Sequence, residues 1–149
     1  MVPQAHTPRR EAQCVVLRRD RVLFIWRKDH ASVGRWGLPG GPCRQDETPV
    51  QTLSREMKTG LGISDTPTPE PLGEWQTREC DVEVYALPFT GHITNFDAHH
   101  IIGIIWLGVS DVIRFANSDR LALGFELEAV NRAVRSDSTK PESHAPDAD

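Results

Sequence analysis

Glu47, Arg55 and Glu56, set between Gly41 and Gly62 of this 149-residue chain, are the side chains whose types and spacing could share one piece of chemistry. A carboxylate can ligate a divalent cation or take a proton from water, and a neighbouring guanidinium can fix its orientation. On a helix, carboxylates at i, i+3 and i+4 present to one small volume. Counted from Glu56, those next two positions hold Thr59 and Gly60, one neutral hydroxyl and no side chain at all. An Arg-Glu pair on a helix is by itself more often a solvated surface pair.

The element that must carry these groups is well marked. Thr48 is a good N-cap, Pro49 suits the first helical position, and Gln51 stands three residues on, as a capping box requires. Val50, Leu53 and Met57 then recur at spacings of three and four, predicting an inward face, with Arg55, Glu56 and Thr59 pointing elsewhere. Gly60 and Gly62 supply stops, and Gly60 is expected to end the helix a turn early. Before it, RKDHASVGRWGLPGGP predicts a winding loop with a short extended piece around Trp36 and Leu38.

Cys14 to Leu17 and Arg21 to Trp26 read as a strand pair joined by a charged turn. Further strands are expected over Gly73 to Gln76, Val82 to Phe89 and His99 to Val109, with Asp81 and Glu83 on one face and Val82 and Val84 on the other. A closing helix is expected within Ser118 to Arg135. Strands flanked by two helices predict an α/β sandwich. Residues 1–10 and 136–149 are read as polar, disordered tails around one domain over 11–135.

A formal charge of −4 and a pI near 5.8 argue against nucleic-acid binding. The apolar runs are too short to span a bilayer, and the N-terminus has no apolar secretory core. Cys14, Cys43 and Cys80 lack a CxxC pair and are read as reduced thiols of a cytoplasmic protein, not as a zinc site.

Gly41, five residues, Glu47, seven residues, Arg55-Glu56, apolar Met57, then Gly62 and apolar Ile63 resemble the box of the Nudix hydrolase superfamily, G-x5-E-x7-R-E-U-x-E-E-x-G-U. The chain departs from it only at the E-E pair, where Thr59 and Gly60 stand. Arg27-Lys28 and GRWGLPGG before the box look like the strand and loop that usually enter it. The GDP-mannose mannosyl hydrolases resemble this chain in having a departing box with a D-E-T run like Asp46-Glu47-Thr48, but they keep the second glutamate, where Gly60 stands here.

The resemblance implies a Nudix-type α/β/α sandwich with a mixed sheet. It implies a hydrolase of a nucleoside diphosphate linked to another moiety, cleaving a phosphoanhydride with a weakened site for Mg²⁺ or Mn²⁺ that fills together with substrate. Glu56 would be metal ligand or general base, Arg55 would orient its neighbours, Glu47 would fix the loop and helix, and the Gly40 carbonyl would be a further metal ligand. Replacement acids would come from Glu79, Asp81, Glu83 or Asp97. Trp36, Arg27 and His99 are expected at the nucleotide, with Phe96, His100 and Trp106 also considered, against a reading of Trp36 and Trp106 as core aromatics. The alternative is a catalytically inactive Nudix-fold protein that binds a nucleotide or a protein partner. The resemblance also leaves a homodimer open.

Overall fold

The computed structural model of the chain describes residues 9–28 and 35–139. The expected opening hairpin is present as β1 (Arg9–Arg18) and β2 (Arg21–Arg27), antiparallel, with Leu17 opposite Val22 and Arg18 opposite Arg21. After it come β3 (Gly40–Pro42), α1 (Pro49–Leu61), β4 (Glu70–Gln76), β5 (Cys80–Pro88), β6 (Ile101–Gly108), α2 (Val109–Asn117) and α3 (Glu126–Thr139). The strands form one mixed sheet in the order β4-β5-β1-β2-β6, with β3 paired to β1. Among the paired strands of the described residues, β1 and β5 run parallel and the other pairs antiparallel.

Alternation along the central strands divides the core into two layers. Ala12, Cys14 and Val16 of β1 and Leu23 and Ile25 of β2 pack with Leu53, Met57 and Leu61 of α1. The intervening Val15, Val22 and Phe24 pack on the other face with Val112 of α2 and Ala129, Val130 and Ala133 of α3. Phe24 is fully buried, and truncating such a ring typically costs about 3–5 kcal/mol. The result is the expected α/β/α sandwich.

The ladder between β1 and β2 covers only their turn-proximal ends, because the segment 37–42 comes between them. Ile25 and Gly37 exchange backbone hydrogen bonds of 2.8 and 2.9 Å, Cys14 N–H donates to the Pro39 carbonyl, and β3 pairs with Glu11 to Gln13. Gly40 makes this insertion feasible. Its φ is 137°, and a Cβ there would lie 2.0 Å from the Ala12 carbonyl oxygen.

Several expectations need correction. α1 does not stop at Gly60: it continues to Leu61 and is capped by Gly62 in the left-handed conformation, whose N–H bonds back to Lys58. A single glycine weakens a helix without ending it when the next turn is fixed by packing, here by buried Leu61. Val50 sits in the first turn and is exposed, so the packed stripe is Leu53, Met57 and Leu61 with Thr52 beside it. The closing helix expected within 118–135 is present as α3, with its start at Glu126. An unexpected α2 follows β6 directly, with the Asp111 carboxylate accepting the Gly108 N–H. The ordered elements also reach beyond 11–135, since Arg9 and Arg10 pair with Cys80 and Asp81 and α3 runs to Thr139. The rest of both expected tails lies outside the described residues.

Gly60 therefore stands in a helical interior, where a Cβ would meet only the Ile101 Cδ1 at 3.7 Å. Gly60→Ala should raise stability by about 0.5–1 kcal/mol by restricting the unfolded chain, read as a higher Tm. A lower Tm would show that this position needs glycine in the folded state.

Candidate active site

The capping box expected at the start of α1 is formed: Thr48 Oγ1 accepts the Gln51 N–H, and Gln51 Oε1 accepts the Thr48 N–H. It places Arg55 opposite the loop that precedes the helix. The Arg55 guanidinium donates to both oxygens of Glu47, at 2.7 and 2.9 Å, to Glu56 Oε2 at 2.8 Å, and to the Pro42 carbonyl at 3.1 Å. Glu47 also accepts from the Arg44 N–H and the Thr52 hydroxyl. Hydrogen bonding from Arg55 first, then from Arg44 N–H, lowers the Glu47 carboxyl to about 2, and Glu47 in turn holds the Arg55 guanidinium above its ordinary value.

Glu56 is seated directly on Gly41. A Cβ on Gly41 would lie 2.8 Å from both Cδ and Oε2 of Glu56, so the absence of a side chain there lets the carboxylate lie against β3. Glu56, Thr59 and Gly60 share a cavity of about 750 Å³ with groups from distant parts of the chain. Glu11 and Gln13 of β1, Asp97 and His100 before β6, and Glu126 at the start of α3 all line it, as do Arg9, Arg27, Arg35, Arg44 and Arg55.

Among the acids expected as replacements, only Asp97 reaches this cavity. Its oxygens are engaged by the His99 N–H at 3.0 Å and by His100 Nδ1 at 2.7 Å, and the His100 contact is the larger cause of its lowered pKa. Glu83 instead bonds Arg10 and Tyr85. Arg27 lines the cavity, and its guanidinium donates to the Gly40 carbonyl. His99 is exposed and is not among the lining residues; His100 is. Trp36 does not line it either. Its ring stands edge-on to Trp26 with centroids 5.3 Å apart and packs against the core. Phe96 and Trp106 pack on the other core layer, Trp106 between Phe89 and the Arg18 guanidinium.

Sequence reasoning missed Glu11, Gln13 and Glu126. Glu11 is buried and bonded to Arg9 and Gln13. Glu126 is fully buried, accepts the Leu123 and Gly124 N–H groups, and is pushed up in pKa by burial. The usable signal was in β1, where Glu11 and Gln13 fall at alternate positions on either side of Ala12, just before the apolar run from Cys14 to Leu17.

A family model described as NUDIX domain matches residues 7–125. The chain belongs to the Nudix family. Solved structures agree on the fold. The NUDIX domain of Shewanella oneidensis NrtR, complexed with ADP ribose, has a TM-score of 0.73 at 20% identity, covering 93% of this chain and 94% of that one. DR0079 from Deinococcus radiodurans gives 0.71 at 17% identity over 89% of each chain. The MutT NUDIX hydrolase from Burkholderia pseudomallei gives 0.64 at 22% identity over 70% of this chain and 86% of that one. At these identities the likeness speaks for the fold alone. No curated protein matches the chain.

Nudix hydrolases generally use divalent metals, so the fit of this wall to such an ion matters. Among the described residues no three His, Cys, Asp or Glu are grouped to hold a metal. The Thr59 hydroxyl donates to the Arg55 carbonyl within the helix, Gly60 offers nothing, and the Gly40 carbonyl carries the Arg27 guanidinium. These residues do not fit a resident metal ion.

Two outcomes follow from this geometry. Gly41→Ala should push the Glu56 carboxylate off β3, and any activity of the centre should fall with little change in Tm; an unchanged activity would show that Glu56 need not lie there. The folded pKa of Glu47 is depressed, so its contribution to stability is complete above about 4.5 and is lost as pH falls toward about 2. Urea unfolding across that window should show a decline that Glu47→Gln removes, and an identical decline in the variant would refute the assignment.

Proposed function

We propose that the chain is a pyrophosphohydrolase that cleaves a nucleoside diphosphate linked to another moiety. The observation that supports this most directly is Glu56, oriented by Arg55 and seated on Gly41, in the wall of a cavity that also holds five arginines. Guanidiniums suit the oxygens of a diphosphate. Gln13 adds a reason to expect a ligand with donor groups. The Glu11 carboxylate can only accept, so the Gln13 amide must turn its nitrogen to it, and the buried Oε1 is left without a donor among the described residues. The ADP ribose held by the NrtR domain belongs to the same chemical class.

In this reading the arginines hold the bridging diphosphate, and water attacks one phosphorus while the far phosphate leaves. Glu56 accepts the water's proton. Arg55 engages Oε2, which leaves Oε1 as the basic atom. Mg²⁺ or Mn²⁺, carried in on the substrate's phosphate oxygens, would neutralise charge and polarise the water. Location in the cytoplasm accords with free Cys14, Cys43 and Cys80. Among the described residues no helix is long and apolar enough to cross a membrane.

A second reading, an inactive binder of nucleotides, is favoured by one specific observation: Arg27 sits on the carbonyl that the family gives to metal. Phosphate release from ADP ribose and nucleotide sugars with Mg²⁺ or Mn²⁺ separates the two. Glu56→Gln should reduce it by about 10²- to 10⁴-fold. If the unmodified protein turns over no substrate yet melts higher with nucleotide in chelator, the enzyme reading is wrong.

A further inference from the structure

Arg27 ends β2 where its ladder to β6 shifts register between Trp26 and Arg27, and this brings the guanidinium to the Gly40 carbonyl. A guanidinium and a divalent cation on one carbonyl oxygen repel each other at close range, although the oxygen has two lone pairs. The rest of the wall agrees. Glu56 shares Oε2 with Arg55, the Thr59 hydroxyl is a neutral group turned back on the Arg55 carbonyl, and Gly60 has no side chain.

The charges point the same way. Five arginines line the cavity against four carboxylates: Glu11, Glu56, Asp97 and Glu126. Glu11 is paired with Arg9, Glu56 with Arg55 and Asp97 with His100, while Glu126 is held by backbone N–H groups. Each of these four acids is thus engaged within the chain, and Arg35 and Arg55 have further partners in Asp119 and Glu47, so what the wall offers an anion is N–H donors and not a surplus of charge.

We propose that Arg27 takes the place of a metal ion at this centre: the cavity holds the diphosphate of its ligand through guanidinium contacts without a divalent cation, and Arg27 keeps such cations off the Gly40 carbonyl. The proposal rests on the reading above that the ligand carries a diphosphate. A metal that took part in turnover would come with the ligand's phosphates and not from a site on the chain.

Titration calorimetry of the unmodified protein with inorganic pyrophosphate tests this directly. Affinity in excess chelator should lie within about threefold of that in Mg²⁺; a loss of more than about tenfold in chelator overturns the proposal. Arg27→Met should weaken pyrophosphate binding in chelator by about tenfold or more, the scale of one charged hydrogen bond. The same variant should bind Mn²⁺ more tightly than the unmodified protein, read by the electron paramagnetic resonance of free Mn²⁺; unchanged Mn²⁺ affinity in a variant with an intact thermal transition overturns the exclusion. Metal-free pyrophosphate binding with no nucleotide turnover would refute the hydrolase and leave Arg27 in its role. Turnover with pyrophosphate bound only through Mg²⁺ would do the reverse.

Discussion

The guanidinium of Arg55 is the contact on which the rest of the centre depends. It ties the loop before α1, through Glu47 and the Pro42 carbonyl, to Glu56 one residue along the helix. Both Glu47 and Arg55 are about four-fifths buried as side chains, so their bonds are shielded from competing water. Two parallel bonds to one carboxylate also fix a plane as well as a distance. Removing Arg55 would leave two largely buried carboxylates, Glu47 and Glu56, without their common partner, and the loop would lose its anchor together with Glu56's orientation. The ion pair is thus a positioning device first, since a buried pair is weak evidence for net stability.

That device works only because the sheet opens to receive it. The segment 37–42 lies between β1 and β2 and carries Gly40 and Gly41 to the foot of α1. One glycine is required by backbone conformation and contact with Ala12, the other by contact with Glu56. Two adjacent glycines therefore answer to different constraints. The same opening lets Glu11 and Gln13, at alternate positions on β1, line a cavity instead of the core, which is why polar residues are tolerated in the middle of a buried strand.

What was legible in the sequence is what local chemistry determines. Thr48, Pro49, Gln51 and Gly62 mark the two ends of α1, the apolar runs of β1 and β2 mark a strand pair, and the alternation around Val82 and Val84 marks β5. The Arg55 and Glu56 register specified the family. What escaped was tertiary in origin. Nothing in the neighbourhood of Glu126 announces that its carboxylate will turn back to cap the Leu123 and Gly124 amides beside a cavity built from β1 and α1. His99 and His100 are adjacent, and alternation alone does not choose between them; the turn through Asp97, which bonds His100, turned the second histidine to the cavity. α2 was hidden because an apolar strand runs straight into it, with only Asp111 at its third position as a start signal.

The missing glutamates and the position of Arg27 can be understood as one electrostatic arrangement. Three carboxylates on a helix end would repel one another and would need mobile divalent charge to be stable when folded. One carboxylate, already paired with Arg55, needs none. A guanidinium attached to the chain is then sufficient to occupy the Gly40 carbonyl, and it is present whatever the metal concentration. The exchange has a chemical consequence. A guanidinium binds and orients phosphate oxygens, but it does not lower the pKa of a coordinated water as a metal does. Binding strength is therefore preserved better than water activation. In the proposed hydrolase the activation that the chain itself supplies therefore falls on Glu56.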